Sequence, residues 1–339
     1  MLDATRQAVA ALDAVSVFGP PEARTRGLVD AFEAVAQLRS GLLRRYRLMD
    51  GALLPSRSPA QSYFRIRTAE MPGSRVLSHA VDVIARCLAD MCDAPIAGSD
   101  MVREIAAIRR FLCDTSAAAV PAVIVEEDGP RQDADDIRSA HSSVEQTWFD
   151  RWIIGHQLHA LLNVCAAIAL GEAIRDVHAG GADSAIGNLE AATIYVGGFT
   201  AARAHTLALP AHFYGAVLRP TMTPPFVSLP LSGSMHLEYR AFRSRMAEML
   251  RVLPEPIADL SSREPRLALA RESVLEADLA DSLRHITLVE PIVGNGKSLV
   301  QGPRTKDNAI SMLGKIHDRR SAEFAKYLRS GGAGDEVTP

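Results

Sequence analysis

Apolar side chains recur three and four positions apart through most of this chain, the spacing that gives a helix one apolar face. The pattern predicts helices near residues 3–17, 24–49, 74–93, 99–113, 136–178, 184–207, 211–220, 234–252 and 266–293, with a last one near 306–329. Alanine, leucine and arginine, all strong helix formers, fill much of these segments. Strand-like alternation is nearly absent, so the predicted class is all-α. The exception, Val120-Pro-Ala-Val-Ile-Val125, is short and runs into an acidic, Pro- and Gly-bearing stretch from Glu126 to Asp136. That stretch is read as a linker between a helical N-terminal part, 1–135, and a helical C-terminal domain, 136–330, followed by a flexible tail, 331–339. A second polar segment, Asp50 to Pro59, has turn chemistry at both ends and is expected to cover a surface or a pocket mouth. No internal repeat of about 20–50 residues is present.

Composition narrows the partners. The 339 residues are 47% apolar and 23% charged with a net charge of −3, long enough for a large core. Charge is spread evenly, and aromatics make up 5%, so neither a basic stripe nor stacking material for nucleic acid is present. The N-terminus lacks an apolar signal core, and no run is expected to reach the roughly 18 apolar residues of a membrane span. A cytoplasmic protein without membrane contact is expected. Cys87, Cys92, Cys113 and Cys165 sit in helical patterns without CxxC spacing and read as reduced, packed thiols; no CxxCH is present.

Four segments carry candidate chemistry. In the predicted helix 266–293, Leu275, Leu279, Ser282, Ile286, Val289 and Val293 form one stripe, with His285 at its border. A glycine-punctuated loop, Gly294 to Gly302, and a last helix follow. A lone helical histidine beside such a loop suits an axial ligand to heme; a satisfied structural histidine is the plainer alternative. The helix from Trp148 to Cys165 sets Trp152, His156, Ala160 and Asn163 on one face. A neutral imidazole there could manage a proton, or His156, His159 and Asn163 could serve helix–helix hydrogen bonding. A carboxylate-bridged di-iron site is discounted, since no Glu-x-x-His motif is present. In Leu209 to Pro225, prolines bracket a short helix that fixes Arg219 at its end, where a guanidinium can clamp a carboxylate or pair with a structural acid. Last, Pro230-Leu-Ser-Gly-Ser-Met-His236 leads into a helix with small polar residues able to donate to an anion.

The order of these segments resembles the tryptophan/indoleamine 2,3-dioxygenase superfamily of histidine-ligated heme enzymes. The matching pieces are Leu161-Leu-Asn-Val-Cys-Ala-Ala167, Phe213-Tyr-Gly-Ala-Val-Leu-Arg219, Ser232-Gly-Ser234, Arg284-His-Ile-Thr-Leu-Val289 and Ser311-Met-Leu-Gly314, covering residues 150–330, with little from the first 145. The resemblance implies that His285 is the proximal iron ligand and that Arg219 grips the substrate carboxylate. It also implies an aromatic pocket position for Tyr214 and places Ser232, Gly233 and Ser234 beside heme and substrate. Two departures point away from indole cleavage. The family's Gly-Thr-Gly-Gly loop is replaced by Gln301-Gly-Pro-Arg-Thr-Lys-Asp307, and a distal imidazole, His156, suits oxygen–oxygen cleavage with proton delivery. Both features turn attention to the heme-dependent tyrosine hydroxylases and the pyrrolnitrin-type ring-rearranging relatives. One hydroxylase subgroup attaches heme through a His-x-x-x-Cys motif near the C-terminus; with no cysteine after Cys165, non-covalent heme b is expected here.

The resulting expectation is a heme-dependent oxidoreductase acting on an aromatic amino acid or derivative, favouring tyrosine-type hydroxylation in natural-product biosynthesis with dioxygen or hydrogen peroxide. His156 and Arg219 carry the catalytic tasks, and Trp152 and Tyr214 wall the ring. A dioxygenase or ring-rearranging enzyme on a tryptophan-derived indole is the alternative, and a non-catalytic heme-binding helical protein the second. The family relation and the long N-terminal helices are consistent with a homodimer.

Overall fold

The computed structural model describes residues 2–46, 52–53, 58–67, 69–70, 73–117, 124–125, 143–294, 296–301 and 307–329. Within them the chain is helical: α1 Leu2–Asp13, α2 Pro21–Tyr46, α3 Pro59–Tyr63, α4 Gly73–Met91, α5 Gly98–Ala117, α6 Ser143–His178 and α7 Ala182–Thr206. Next come α8 Ala211–Phe213, a π-helical turn Tyr214–Leu218, and α9 Arg219–Thr221. The order ends with α10 Leu237–Val252, α11 Ile257–Arg263, α12 Pro265–Val293 and α13 Ala309–Phe324.

The all-α expectation holds, with small additions. Four two-residue strands form two antiparallel pairs: β1 Ala52–Leu53 with β3 Ala69–Glu70, and β2 Ile66–Arg67 with β4 Ile124–Val125. The short alternating run near 120–125 therefore ends in a strand. Periodicity overlooked α3, where Ser58 accepts a hydrogen bond from the Gln61 amide at 3.1 Å and Pro59 begins the helix. It also overlooked the seven-residue α11, about two turns and too short to repeat its own pattern.

The long α6 runs through the core, packed against α7, α10 and α4, while α7 also meets α5 and α12. Two glycines allow these close approaches. A Cβ at Gly155 of α6 would stand 2.9 Å from the Thr206 Cα of α7, and one at Gly198 of α7 would stand 2.6 Å from the Ala107 Cβ of α5. The expectation that no segment could span a membrane is corrected in one respect: Val144–His178 is long and apolar enough by length and composition. Of its most apolar window, 72% is buried inside the protein, as a core helix requires.

One hydrophobic cluster runs from Ala8 of α1 to Tyr327 beyond α13, so helices on both sides of the expected division near residue 135 share it; the division itself lies outside the described residues. A smaller cluster gathers Phe64, Trp152, Phe213 and Leu218, drawing on α6, the α8–α9 element and the segment after α3. Arg65, at φ 56°, turns the chain from α3 into β2 and leaves Phe64 directed into that cluster. The stripe expected on α12 is rotated in the structure. Its buried face runs through Leu267, Arg271, Val274, Leu275, Asp278, Asp281 and Ser282, whereas Ile286 and Val289 are half-buried.

Candidate active site

α6 presents Trp152, His156 and His159 toward the smaller cluster and α7. The His156 Nδ1 lies 2.8 Å from the Trp152 carbonyl oxygen, one turn back on the same helix. Burial, then the neighbouring His236 and Arg203, pulls the imidazole down to about 3, so the ring is neutral. A neutral ring facing a carbonyl must donate through Nδ1–H, which leaves Nε2 as an unprotonated acceptor. Phe64 stacks on this ring at 3.8 Å and 11°, and Trp152 stands 4.4 Å away.

His236 caps the start of α10 and lies nearly parallel to His156 at 6.0 Å. Its Nδ1 is buried with no hydrogen-bond partner among the described residues, and burial followed by Arg203 brings the ring down to about 4. His159 is held well below its ordinary value by burial and Arg203. Asn163, expected on the same wall, instead bonds back to the His159 carbonyl at 2.7 Å.

His285 stands on α12 one turn beyond Asp281 and Ser282. Burial, then Arg203 and Arg320, holds its imidazole neutral, well below the ordinary value, while the side chain remains only half-buried. His156 lies close enough to add to the same lowering, so the two rings belong to one neighbourhood of the interior. Arg203 acts on all four imidazoles. Among the described residues no hydrogen bond reaches the ring. His317 on α13 has such a partner, its Nδ1 lying 2.7 Å from Ser282 Oγ.

The other predicted residues are partly assembled. Tyr214, on the π-helical turn, has its ring 5.7 Å from Trp152, and burial raises its phenol. The π-turn is a local widening of the kind that often re-aims side chains at functional sites. Arg219 directly follows it and, rather than standing free, donates to the Lys297 carbonyl of the loop after α12. Ser232 is half-buried and Gly233 exposed at the short 3-10 turn before His236; the Ser234 side chain and residues 302–306 lie outside the described positions. Tyr63 adds a hydroxyl, bonded to Thr221 Oγ1 at 2.6 Å, and burial pushes its phenol up to about 12.

Sequence reasoning missed Phe64, His236 and Arg203. Only the Pro230–His236 segment had signalled one of them; Phe64 comes from a part of the chain assigned no role, and Arg203 looked like one more helical arginine.

A different buried cluster lies on the other side of α7. The Cys87 thiol, Glu104 and His205 approach one another closely enough to suggest metal ligands. Both ring nitrogens of His205 are already engaged, Nδ1 with Glu104 and Nε2 with Asp90, each at 2.8 Å, and Arg151 bonds Asp90 at 2.7 and 3.1 Å. Although burial opposes it, the two carboxylates raise His205 to about 9, so it is an imidazolium. Two cations and two anions close this cluster without a metal.

The helical fold, with neutral imidazoles and aromatic rings gathered on α6, α10 and α12, is that of the heme-dependent oxidoreductases of the tryptophan/indoleamine 2,3-dioxygenase-like class. The SfmD 3-methyl-L-tyrosine peroxygenase family matches residues 1–270, and this chain belongs to that family. The match begins at residue 1, so the N-terminal part, expected to contribute little, is integral to it, as the place of Phe64 on His156 shows structurally. A crystal structure of reduced SfmD, soaked with sodium hydrosulfite, is similar in fold, with a TM-score of 0.52 and 22% identity over 84% of this chain and 92% of that one. No curated protein matches the chain.

Proposed function

We propose that this protein is a histidine-ligated, heme-dependent enzyme of the peroxygenase type that hydroxylates the ring of a tyrosine-type amino acid, of which the 3-methyl-L-tyrosine in the family's name is the nearest chemistry. The carrying observation is the pair of neutral imidazoles held near each other, His285 and His156, the latter with its Nε2 lone pair left free. A neutral imidazole is a suitable iron donor, so the donor set fits heme. With no cysteine after Cys165, the cofactor would be non-covalent heme b. The reading includes a cytoplasmic location and a homodimer.

When bound, heme supplies the oxidative chemistry, with hydrogen peroxide or dioxygen as the oxygen source. The protein's own residues bind, orient and move a proton. His156 Nε2 accepts one from the peroxide or the substrate phenol, its ring held by the Trp152 carbonyl and the stacked Phe64. Trp152 and Tyr214 wall the aromatic ring, and Ser232, Gly233 and Ser234 border the pocket. Arg219 exchanges the Lys297 carbonyl for the substrate carboxylate, so binding and the loop after α12 are coupled. Arg219→Ala should weaken substrate use by roughly 10- to 150-fold, the worth of a charge-assisted hydrogen bond, without removing heme.

One observation favours a second reading of the iron ligand. Metal-binding histidines almost always have their other nitrogen hydrogen-bonded, and His317 meets that condition through Ser282 whereas among the described residues His285 has no such partner. His317-Asp-Arg-Arg-Ser321 also has His-x-x-x spacing with serine where the covalent motif has cysteine, which again excludes a thioether. The visible spectrum of the heme-reconstituted protein tests both. Loss or shift of the Soret band in His285→Ala, with His317→Ala unchanged, supports the primary reading; the reverse pattern selects His317; a wild-type protein with no Soret band refutes the function.

A further inference from the structure

The element that carries Tyr214 and Arg219 has little support of its own. Pro220 has no amide N–H, and a proline ring inside a helix clashes with the carbonyl four residues back, here that of Ala216. The helix widens instead, and the Arg219 amide bonds the Tyr214 carbonyl five residues back. α8 and α9, which flank this π-helical turn, have three residues each. The Leu218 carbonyl at its end accepts from Thr221 Oγ1 at 2.7 Å. Tyr63, from the end of α3, meets the element at that same threonine, its hydroxyl 2.6 Å from Thr221 Oγ1.

The direction of that bond follows from proton counting. A carbonyl cannot donate, so the threonine proton is spent on Leu218 and the Tyr63 hydroxyl must donate to Thr221. The Tyr63 oxygen is then an acceptor for the buried indole Nε1 of Trp152, which has no other partner among the described residues and lowers the phenol as a donor to its oxygen does. Tyr63 is itself held in place from two sides. Gln61 Nε2 donates to Glu238 Oε1 of α10 at 2.8 Å, and Gln157 Nε2 of α6 donates to the Phe64 carbonyl at 3.0 Å. The end of α3 therefore hangs on the helix that bears His156 and the helix that His236 caps, and Tyr63 reaches from that frame to the turn.

We propose that Tyr63 is a positioning residue for substrate recognition: by donating to Thr221 it fixes the π-helical turn, and with it Tyr214 and Arg219, relative to Trp152 and His156. The inference rests on the substrate roles proposed above for Tyr214 and Arg219 and adds the residue that sets their placement. It gives the N-terminal part of the chain a task in choosing the substrate. The turn cannot supply this registration alone, because Pro220 leaves it without a regular helical ladder.

The test titrates the heme-loaded protein with 3-methyl-L-tyrosine, reading the Soret shift, in wild type, Tyr63→Phe, Thr221→Val, the double variant and Thr221→Ser, with hemin affinity measured beside it. Tyr63→Phe and Thr221→Val should each weaken the amino acid about three- to tenfold, the worth of one neutral hydrogen bond, and leave hemin affinity within about twofold. The double variant should bind no more weakly than Thr221→Val, because both changes remove the same link. Thr221→Ser keeps the hydroxyl and should restore wild-type affinity. Unchanged affinity in Tyr63→Phe overturns the proposal, and so do equal losses for hemin and the amino acid, the mark of a purely structural contact. A loss in Tyr63→Phe that Thr221→Val does not share overturns the link through the turn in favour of direct contact between Tyr63 and the substrate. A wild-type protein with no Soret band, or with one that no aromatic amino acid shifts, removes the proposed function and this role with it; failure in the variants alone removes only the role.

Discussion

Two sets of buried histidines flank α7 and have opposite electrostatic fates. His205, packed among Asp90, Glu104 and Arg151, is raised to about 9 and carries a proton. His156 and His236 fall to about 3 and 4, and His159 and His285 fall well below the ordinary value. Burial lowers every imidazole; only the two carboxylates that grip His205 reverse the sign. Arg203, two residues before His205, reinforces the lowering on the other side. The lesson is that a histidine deep in a core is structural where acids close around it and chemically available where they do not. The charged quartet binds α4, α5, α6 and α7 together, and so holds the helix bearing His156 against the helix bearing Arg203.

The strongest way to break this contrast is to remove one acid from the closed quartet. Asp90→Ala leaves His205 and Arg151 short of an anion in the interior, and unfolding in urea should show a loss of about 3–5 kcal/mol. A loss below about 1 kcal/mol would mean that the quartet is not closed as described.

pH sharpens the contrast without mutation. His205 has its folded value, about 9, above the unfolded value near 6.5, so its contribution is full below pH 6.5 and is lost as pH rises through 9, roughly 3 kcal/mol in all. His156 and His236 run the other way: their contribution is full above pH 6.5 and is lost as pH falls through 4 and 3. Denaturant unfolding of the heme-free protein should therefore give a stability maximum near neutrality, with the alkaline arm abolished in His205→Gln and the acid arm reduced in His156→Gln.

A smaller effect is expected where the two sets are pressed together. Gly155→Ala places a methyl against the Thr206 backbone and should destabilise by about 1–3 kcal/mol, read as a lower Tm. It should also disturb the Soret band through the adjacent His156. The mildest signature is kinetic. Since His156 is already unprotonated well below neutrality, kcat/KM should show no acid limb near pH 6.5; a limb at that pH that vanishes in His156→Gln would mean that His156 titrates near its ordinary value, against the desolvation described.

Much of the fold was legible because long amphipathic helices repeat their pattern many times, and the helices near 74–93, 99–113, 184–207 and 266–293 lie within a few residues of the prediction. The site was legible in part. His285, His156 and Trp152 stood out as rare residue types on helices, and Tyr214 and Arg219 as residues bracketed by proline. The stripe on α12 was misplaced because a buried face made of Asp278, Asp281 and Ser282 looks like a solvent face to any pattern that equates polar with exposed. Arg219 was expected to clamp a carboxylate, and its bond to the Lys297 carbonyl was not predicted.

The sequence by itself determined the helical class, the order of its segments and the membership of a heme-enzyme family, since these depend on local periodicity and short motifs. Only the tertiary structure decided which histidines are charged and which are neutral, and that Phe64 crosses from the N-terminal part to stack on His156. The physical reason is that an imidazole's state depends on desolvation and on charges a few ångströms away, and those neighbours come from helices 60 to 120 residues distant along the chain.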